Sequence, residues 1–140
     1  MNDRLAVELE KLWKAGAVDL PKAAGAFGTA AGQLHRTGVT EQSVFQRADG
    51  SMGDLYPEWS KLRNTLQDNV FGPSHDNLLT AGGTLVQVAD DFADSDGSAR
   101  IALDDYKKDV ESGPVDDRPP TLVPDPPRHT DGHPHEPQRA

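Results

Sequence analysis

The stretch that decides the fold is LLTAGGTLVQVADDFADSDGSARIALDDYKKDV, residues 78–110. Its apolar residues recur at steps of three and four, the spacing of one face of an α-helix. They are Leu78, Ala81, Leu85, Val88, Phe92, Ala99, Leu103, Tyr106 and Val110. A single helix from Ser74 to Glu111 would be about 55 Å long. Because the helices before it are shorter, we expect part of this face to pack against a partner.

Three shorter helices precede this segment. The first is predicted from about Asp3 to Ala15, and Gly16 with Pro21 predicts its end. The second is predicted from Leu20 to about Thr37, followed by a polar connection over residues 38–54. The third begins after Asp54, and Phe71-Gly72-Pro73 is predicted to stop it. The pattern predicts an all-α fold, an elongated antiparallel helical hairpin with extra N-terminal helices.

The composition changes after Glu111. The last 29 residues hold 8 of the 11 prolines of the chain and few large apolar residues. Such a segment buries too little surface to offset its ordering entropy. We therefore predict a helical hairpin or bundle domain over residues 1–111 and a disordered Pro/His-rich tail over residues 112–140.

Charge and motif content narrow the function. A formal net charge of −9, with no basic stripe, opposes binding to a nucleic-acid backbone. The sequence has no cysteine and no apolar run long enough to span a membrane, and its first residues lack the continuous apolar region expected of a cleavable signal peptide. We also find no catalytic triad motif, phosphate loop or dinucleotide fingerprint. The sequence thus predicts a protein that is not an enzyme and needs no cofactor.

Two groups of residues are candidate metal ligands. Imidazoles at the spacing of His129, His133 and His135 can bind zinc, copper or nickel weakly, but the tail offers no rigid scaffold. Asp94 and Asp96 match only a fragment of a calcium loop, and they fall within a helical period. We predict no metal site and interpret both groups as solvated side chains.

The large apolar side chains are the candidate partner interface. They are Trp13, Phe27, Leu34, Trp59, Leu62, Leu66, Leu78, Leu85, Val88, Leu103 and Tyr106. Small residues at Gly25, Gly28 and Gly32 would let another helix approach the second segment closely. We expect a homodimer, or a heterodimer with another small helical protein.

The segment Val88-Ala-Asp-Asp-Phe92-Ala-Asp-Ser-Asp96 resembles the C-terminal helix of small WxG-like proteins of actinobacterial type VII (ESX) secretion systems. Their export signature is Tyr, three residues, then Asp or Glu; here Phe92 and Asp96 hold those positions. The family's Trp-x-Gly turn has no counterpart, because Trp59-Ser60-Lys61 lies well before the Phe71-Gly72-Pro73 turn. The resemblance implies paired hairpins in a four-helix bundle, export by a non-cleaved signal, and contact with the secretion ATPase.

Two functions of different classes follow. In the first, the chain is a secreted or cell-surface protein, cytoplasmic before export, that acts through helix–helix dimerisation, with Phe92 and Asp96 as its secretion signal. In the alternative, it is a cytoplasmic adaptor or scaffold that binds partners through its Pro-rich tail.

Overall fold

The computed structural model describes residues 3–127, and this part of the chain is about 82% helical with no strands. Two long helices of 43 and 40 residues form a hairpin, which confirms the predicted all-α hairpin class. The first comprises α1 (Asp3–Lys14), a π-helical turn (Ala15–Asp19) and α2 (Leu20–Phe45). The second comprises α3 (Leu55–Thr65), a π-helical turn (Leu66–Phe71) and α4 (Gly72–Asp94). Helix α5 (Gly97–Ser112) and a 3₁₀ turn (Val115–Asp117) follow.

Both prolines that were predicted to separate helices lie inside continuous helices. Each follows a π-helical turn by two residues: Pro21 after Ala15–Asp19, and Pro73 after Leu66–Phe71. Proline has no N–H to donate and its ring crowds the carbonyl four residues earlier. In the wider turn before Pro21, the N–H of Leu20 donates to the carbonyl of Ala15, five residues earlier. The backbone hydrogen bonds therefore continue up to the proline and the helix does not end. The predicted breaks are therefore wrong.

The turn of the hairpin lies at residues 46–54, earlier than the Phe71-Gly72-Pro73 turn that the sequence indicated. Helix α2 continues past Gly38 to Phe45, so the predicted end near Thr37 is also wrong. The connection closes through an antiparallel bridge between Gln46 and Met52, and Gly50 has a positive φ of 89°. Only glycine adopts that conformation without strain, so Gly50 fixes the turn.

The predicted helix over residues 74–111 is divided into α4 and α5. The chain leaves α4 after Asp94, and Asp96 becomes the N-cap of α5. Its carboxylate accepts hydrogen bonds from the backbone N–H of Ser98 at 3.0 Å and of Ala99 at 3.2 Å. An Asp followed by Gly97 favours a helix start over a helix interior. The acidic segment thus folds back on the hairpin and covers part of its own seam.

The two long helices come into backbone contact where two glycines face each other. A β-carbon at Gly16 would lie 2.5 Å from the carbonyl oxygen of Gly82, and one at Gly82 would lie 2.6 Å from that of Gly16. Both distances are shorter than van der Waals contact. This crossing therefore requires glycine in both helices.

The core lies where α1, α4 and α5 pack together. Leu9, Trp13, Ala89, Ala93 and Leu103 are buried there. The ring of Tyr106 meets Trp13 edge to face at a centroid distance of 6.1 Å. Burial raises the pKa of the Tyr106 phenol, as expected beside this core. At this end of the molecule the chain completes its own three-helix core.

Arg100 fastens α5 to α4. Its guanidinium donates to Asp90 at 3.0 Å, to Asp94 at 3.1 Å and to Asp104 at 2.5 Å. Lys107 adds a second cation on Asp90 at 2.6 Å. Asp94, which matched a fragment of a calcium loop in the sequence, therefore pairs with an arginine in the structure.

The predicted tail begins at residue 112, and the structure describes it as far as Pro127. Residues 123–127 lie against α2 and the second long helix, with Pro126 buried. A β-carbon at Gly25 would be 3.2 Å from Cδ of Pro124, and one at Gly28 would overlap the carbonyl of Pro124. The small residues of α2 were predicted to admit another helix, but here they admit this extended segment. Residues 128–140 lie outside the described residues.

Candidate functional site

The hairpin narrows to two helices at its turn, and apolar side chains are exposed there. In α3, Leu55 is 70% exposed and Leu62 is 51% exposed, and both share a helix face with Trp59 by their spacing. Val44 of α2, 72% exposed, lies beside Trp59 in a groove of about 320 Å³. We call Val44, Leu55, Trp59 and Leu62 the tip face. Exposed apolar side chains at one end of a molecule are a candidate protein-binding surface.

Trp59 is held in place by a buried ion pair. Its indole Nε1 donates to Oε2 of Glu41 at 2.9 Å, and Oε1 of Glu41 pairs with Nη2 of Arg63 at 3.2 Å. The Glu41 and Arg63 side chains are only 5% and 13% exposed. Gly38 provides room for the guanidinium, because a β-carbon there would overlap it. The indole therefore lies on the tip face in a fixed orientation.

The predicted interface residues separate into three groups. Trp13 and Leu103 are buried in the core of the chain itself, so this fold does not offer them to a partner. Leu62 is exposed. The others are half-buried: Phe27, Leu34, Trp59, Leu66, Leu78, Leu85, Val88 and Tyr106. Phe27 already packs against Phe71, with ring centroids 6.2 Å apart. The structure thus buries or half-buries the predicted interface residues of the 78–110 segment, whereas Leu62, near the hairpin turn, stays exposed.

Phe92 and Asp96 lie at the corner between α4 and α5. Phe92 is 57% exposed in the last turn of α4. Asp96 has left that helix, and its carboxylate caps α5. The two residues are therefore near in sequence, but they do not form the one-turn pair on a single helix that the motif suggested.

Comparison with protein-family models, curated proteins and solved structures finds no match to this chain.

A polar cleft of about 280 Å³ opens on the other side of the Glu41–Arg63 pair. His35, Val39, Asn64 and Gln67 line it with that pair. Nothing in the sequence pattern singled out the ion pair, because Glu41 fell in the predicted connection and no motif pointed to Arg63. The i, i+4 spacing of Trp59 and Arg63 was the available signal.

Of the candidate metal ligands, the structure describes the aspartates but not the histidines. Within residues 3–127, no group of three or more histidine, cysteine, aspartate or glutamate side chains is arranged to hold a metal ion. His129, His133 and His135 lie outside the described residues. Among the described helices, none is both long and apolar enough to cross a membrane.

Proposed function

We propose that this chain is a non-enzymatic docking protein that pairs with a second copy of itself through the tip face. The observation that carries the proposal is the exposure of Val44, Leu55 and Leu62 beside a tryptophan that is fixed by a buried ion pair. Holding a large aromatic side chain in one rotamer reduces the entropy lost on association. Two hairpins joined at this face would form a four-helix bundle, the arrangement implied by the resemblance to WxG-like proteins.

The charges near the hairpin turn favour self-association there. Residues 36–66 contain four cationic side chains and four carboxylates, so this region has no formal net charge although the whole chain carries −9. They are Arg36, Arg47, Lys61 and Arg63, with Glu41, Asp49, Asp54 and Glu58. The acidic surplus lies in other parts of the chain, above all in α4, which has four aspartates and no lysine or arginine. Two copies can therefore meet at their tips with little charge repulsion.

Cysteine crosslinking tests this pairing, since the chain has no cysteine of its own. In a two-fold symmetric dimer, residues near the axis meet their own copies. We expect Leu62→Cys to form a disulfide-linked dimer under mild oxidation. Val39→Cys is the matched control, because Val39 is 82% exposed but lines the polar cleft instead of the tip face. Equal crosslinking of the two variants would refute pairing through the tip face, and crosslinking only with a different helical protein would replace the homodimer by a heterodimer.

We further propose, from the resemblance to type VII secretion proteins, that the paired chain is exported and that the α4–α5 corner is recognised by the export machinery. The exposed ring of Phe92 supports this proposal, since it is available for contact. Because Asp96 also caps α5, the test requires a substitution that removes its charge and keeps the cap. Asp96→Asn keeps a capping side chain and removes the carboxylate.

The export test compares the culture supernatant with the cell pellet by immunoblot. We expect Phe92→Ala and Asp96→Asn to reduce the exported fraction while the amount in the pellet stays the same or rises. Ile101→Ala is the control, because Ile101 is an apolar residue of α5 outside the motif and is 66% exposed. Unchanged export of both motif variants, or no export of the unmodified chain, would remove the secretion assignment and leave the cytoplasmic adaptor.

A further inference from the structure

Residues 123–127 occupy a groove whose features match an extended peptide. Gly25 and Gly28 form a notch on α2 that receives Pro124. The groove also contains two polar side chains, Gln67 and His75, each only 1% exposed. We call residues 123–127 the strap, and the surface formed by Gly25, Gly28, Gln67 and His75 the strap groove.

Both buried polar side chains reach towards the strap. Gln67 Nε2 donates to the backbone carbonyl of Pro127 at 3.4 Å. The Nε2 atom of His75 lies 3.6 Å from Oδ1 of Asp125, while its Nδ1 donates to Asp76 at 2.9 Å. The groove thus offers a donor to a backbone carbonyl and a notch to a proline ring, and it places the His75 Nε2 atom, which makes no hydrogen bond, 3.6 Å from the carboxylate of the exposed Asp125.

The same contacts indicate that the strap can leave. A groove lined only by apolar residues would expose apolar surface on release, whereas Gln67 can exchange its strap partner for water and His75 Nε2, which makes no hydrogen bond, can gain one. The polar contacts to the strap are long, at 3.4 and 3.6 Å. A proline-rich segment is also largely extended before it binds, so a free peptide of the same kind can replace the strap at little cost in ordering entropy.

We infer that the strap groove is a binding site for extended, proline-rich, acidic peptide segments, and that residues 123–127 are its exchangeable intramolecular ligand. This inference does not depend on pairing through the tip face, because the two surfaces share no residue. A tethered strap acts at an effective concentration on the order of 1 mM. A free peptide that binds with a Kd of about 100 μM would then appear about tenfold weaker against the unmodified chain.

The test uses the full chain and a fluorescent peptide with the sequence of residues 120–127, PTLVPDPP. A released-strap variant carries Asp125→Lys and Pro126→Asp, which remove the carboxylate facing His75 and place a charge at a buried position. We expect fluorescence polarisation to show about tenfold tighter peptide binding to this variant than to the unmodified chain. The same peptide carrying Asp125→Lys should bind more weakly to both.

Two glycine substitutions in the released-strap variant locate the site. Gly28→Leu fills the notch and should abolish peptide binding. Gly32→Leu is the matched control, since a β-carbon there meets nothing within 4 Å, and it should leave binding unchanged. Circular dichroism checks that both variants keep their helix content. Three results would each overturn the inference. The first is no peptide binding up to millimolar concentration, and the second is equal binding to the unmodified and released-strap chains. The third is equal binding of the two peptides, a comparison that does not depend on either glycine variant being folded.

Discussion

The crossing of the two long helices at Gly16 and Gly82 gives the most specific stability prediction, because the next residue is a built-in control. We predict that Gly82→Ala destabilises the chain and that Gly83→Ala stabilises it. A β-carbon at Gly82 would lie 2.6 Å from a backbone carbonyl oxygen, which cannot move aside as a flexible side chain would. A β-carbon at Gly83 would meet nothing within 4 Å.

The magnitudes follow from two opposing contributions. Replacing Gly by Ala in a helix interior gains about 1 kcal/mol in helix propensity at either position. Overpacking at the crossing costs about 2 to 3 kcal/mol, since one long helix must shift away from the other. We therefore expect Gly82→Ala to lower the free energy of unfolding by about 1 to 2 kcal/mol and Gly83→Ala to raise it by up to about 1 kcal/mol. In a chain of this size the two melting temperatures would differ by roughly 6 to 12 °C.

Thermal unfolding followed by circular dichroism at 222 nm measures this difference directly, with urea unfolding as a second route to the free energies. If both substitutions stabilise the chain by similar amounts, the helices do not cross at these glycines, and the hairpin register described here is wrong.

Three further outcomes are expected. Leu103→Ala should lower the free energy of unfolding by about 2 to 5 kcal/mol in a urea titration, because Leu103 is fully buried, whereas Ile101→Ala, at 66% exposure, should change it by under about 0.5 kcal/mol. Glu41→Ala should lower the free energy of unfolding by about 3 kcal/mol, because Arg63 would stay buried without its carboxylate. In a Trp13→Phe background it should also redshift the fluorescence of Trp59, whose indole loses its hydrogen-bond acceptor. No change in either measurement would show that the ion pair does not hold the indole. The attachment of α5 should weaken in acid. Hydrogen bonds from Arg100 lower the pKa of Asp104; at Asp90 burial acts in the raising direction, but hydrogen bonds from Lys107 and Arg100 outweigh it and lower the pKa. A carboxylate with a lowered pKa in the folded state contributes its stability above the ordinary aspartate value of about 3.9 and loses it as the pH falls through the folded value. Hydrogen exchange should therefore show loss of α5 protection below about pH 4, and Arg100→Gln should reduce that dependence.

Helical periodicity was sufficient to predict the fold class, because steps of three and four run through almost every segment up to Val110. The boundaries were harder to predict, since Pro21 and Pro73 are usual helix breakers. The structure keeps the helices continuous by inserting a π-helical turn before each proline, which no local propensity indicates. Conversely, Asp96-Gly97 is a helix start that the longer apolar period concealed.

The candidate surface was only partly predictable, for a related reason. Periodicity identifies an apolar face but does not say what covers it. Trp13 and Leu103 lie on such faces and are covered by the chain itself, because α5 folds back at Asp96. Leu55 and Leu62 lie on a similar face and stay exposed, because the hairpin has only two helices at its turn. The buried pair of Glu41 and Arg63 depends on a contact between two helices that no local pattern reveals.

Pairing through the tip face is tested most directly by the solution mass of the unmodified chain, measured by light scattering over a concentration series. We predict that the mass rises from 15.1 kDa towards twice that value, that Leu62→Asp holds it at 15.1 kDa, and that Val39→Asp leaves the rise unchanged. A mass of 15.1 kDa at every concentration, or a dimer that Leu62→Asp does not weaken, would contradict it.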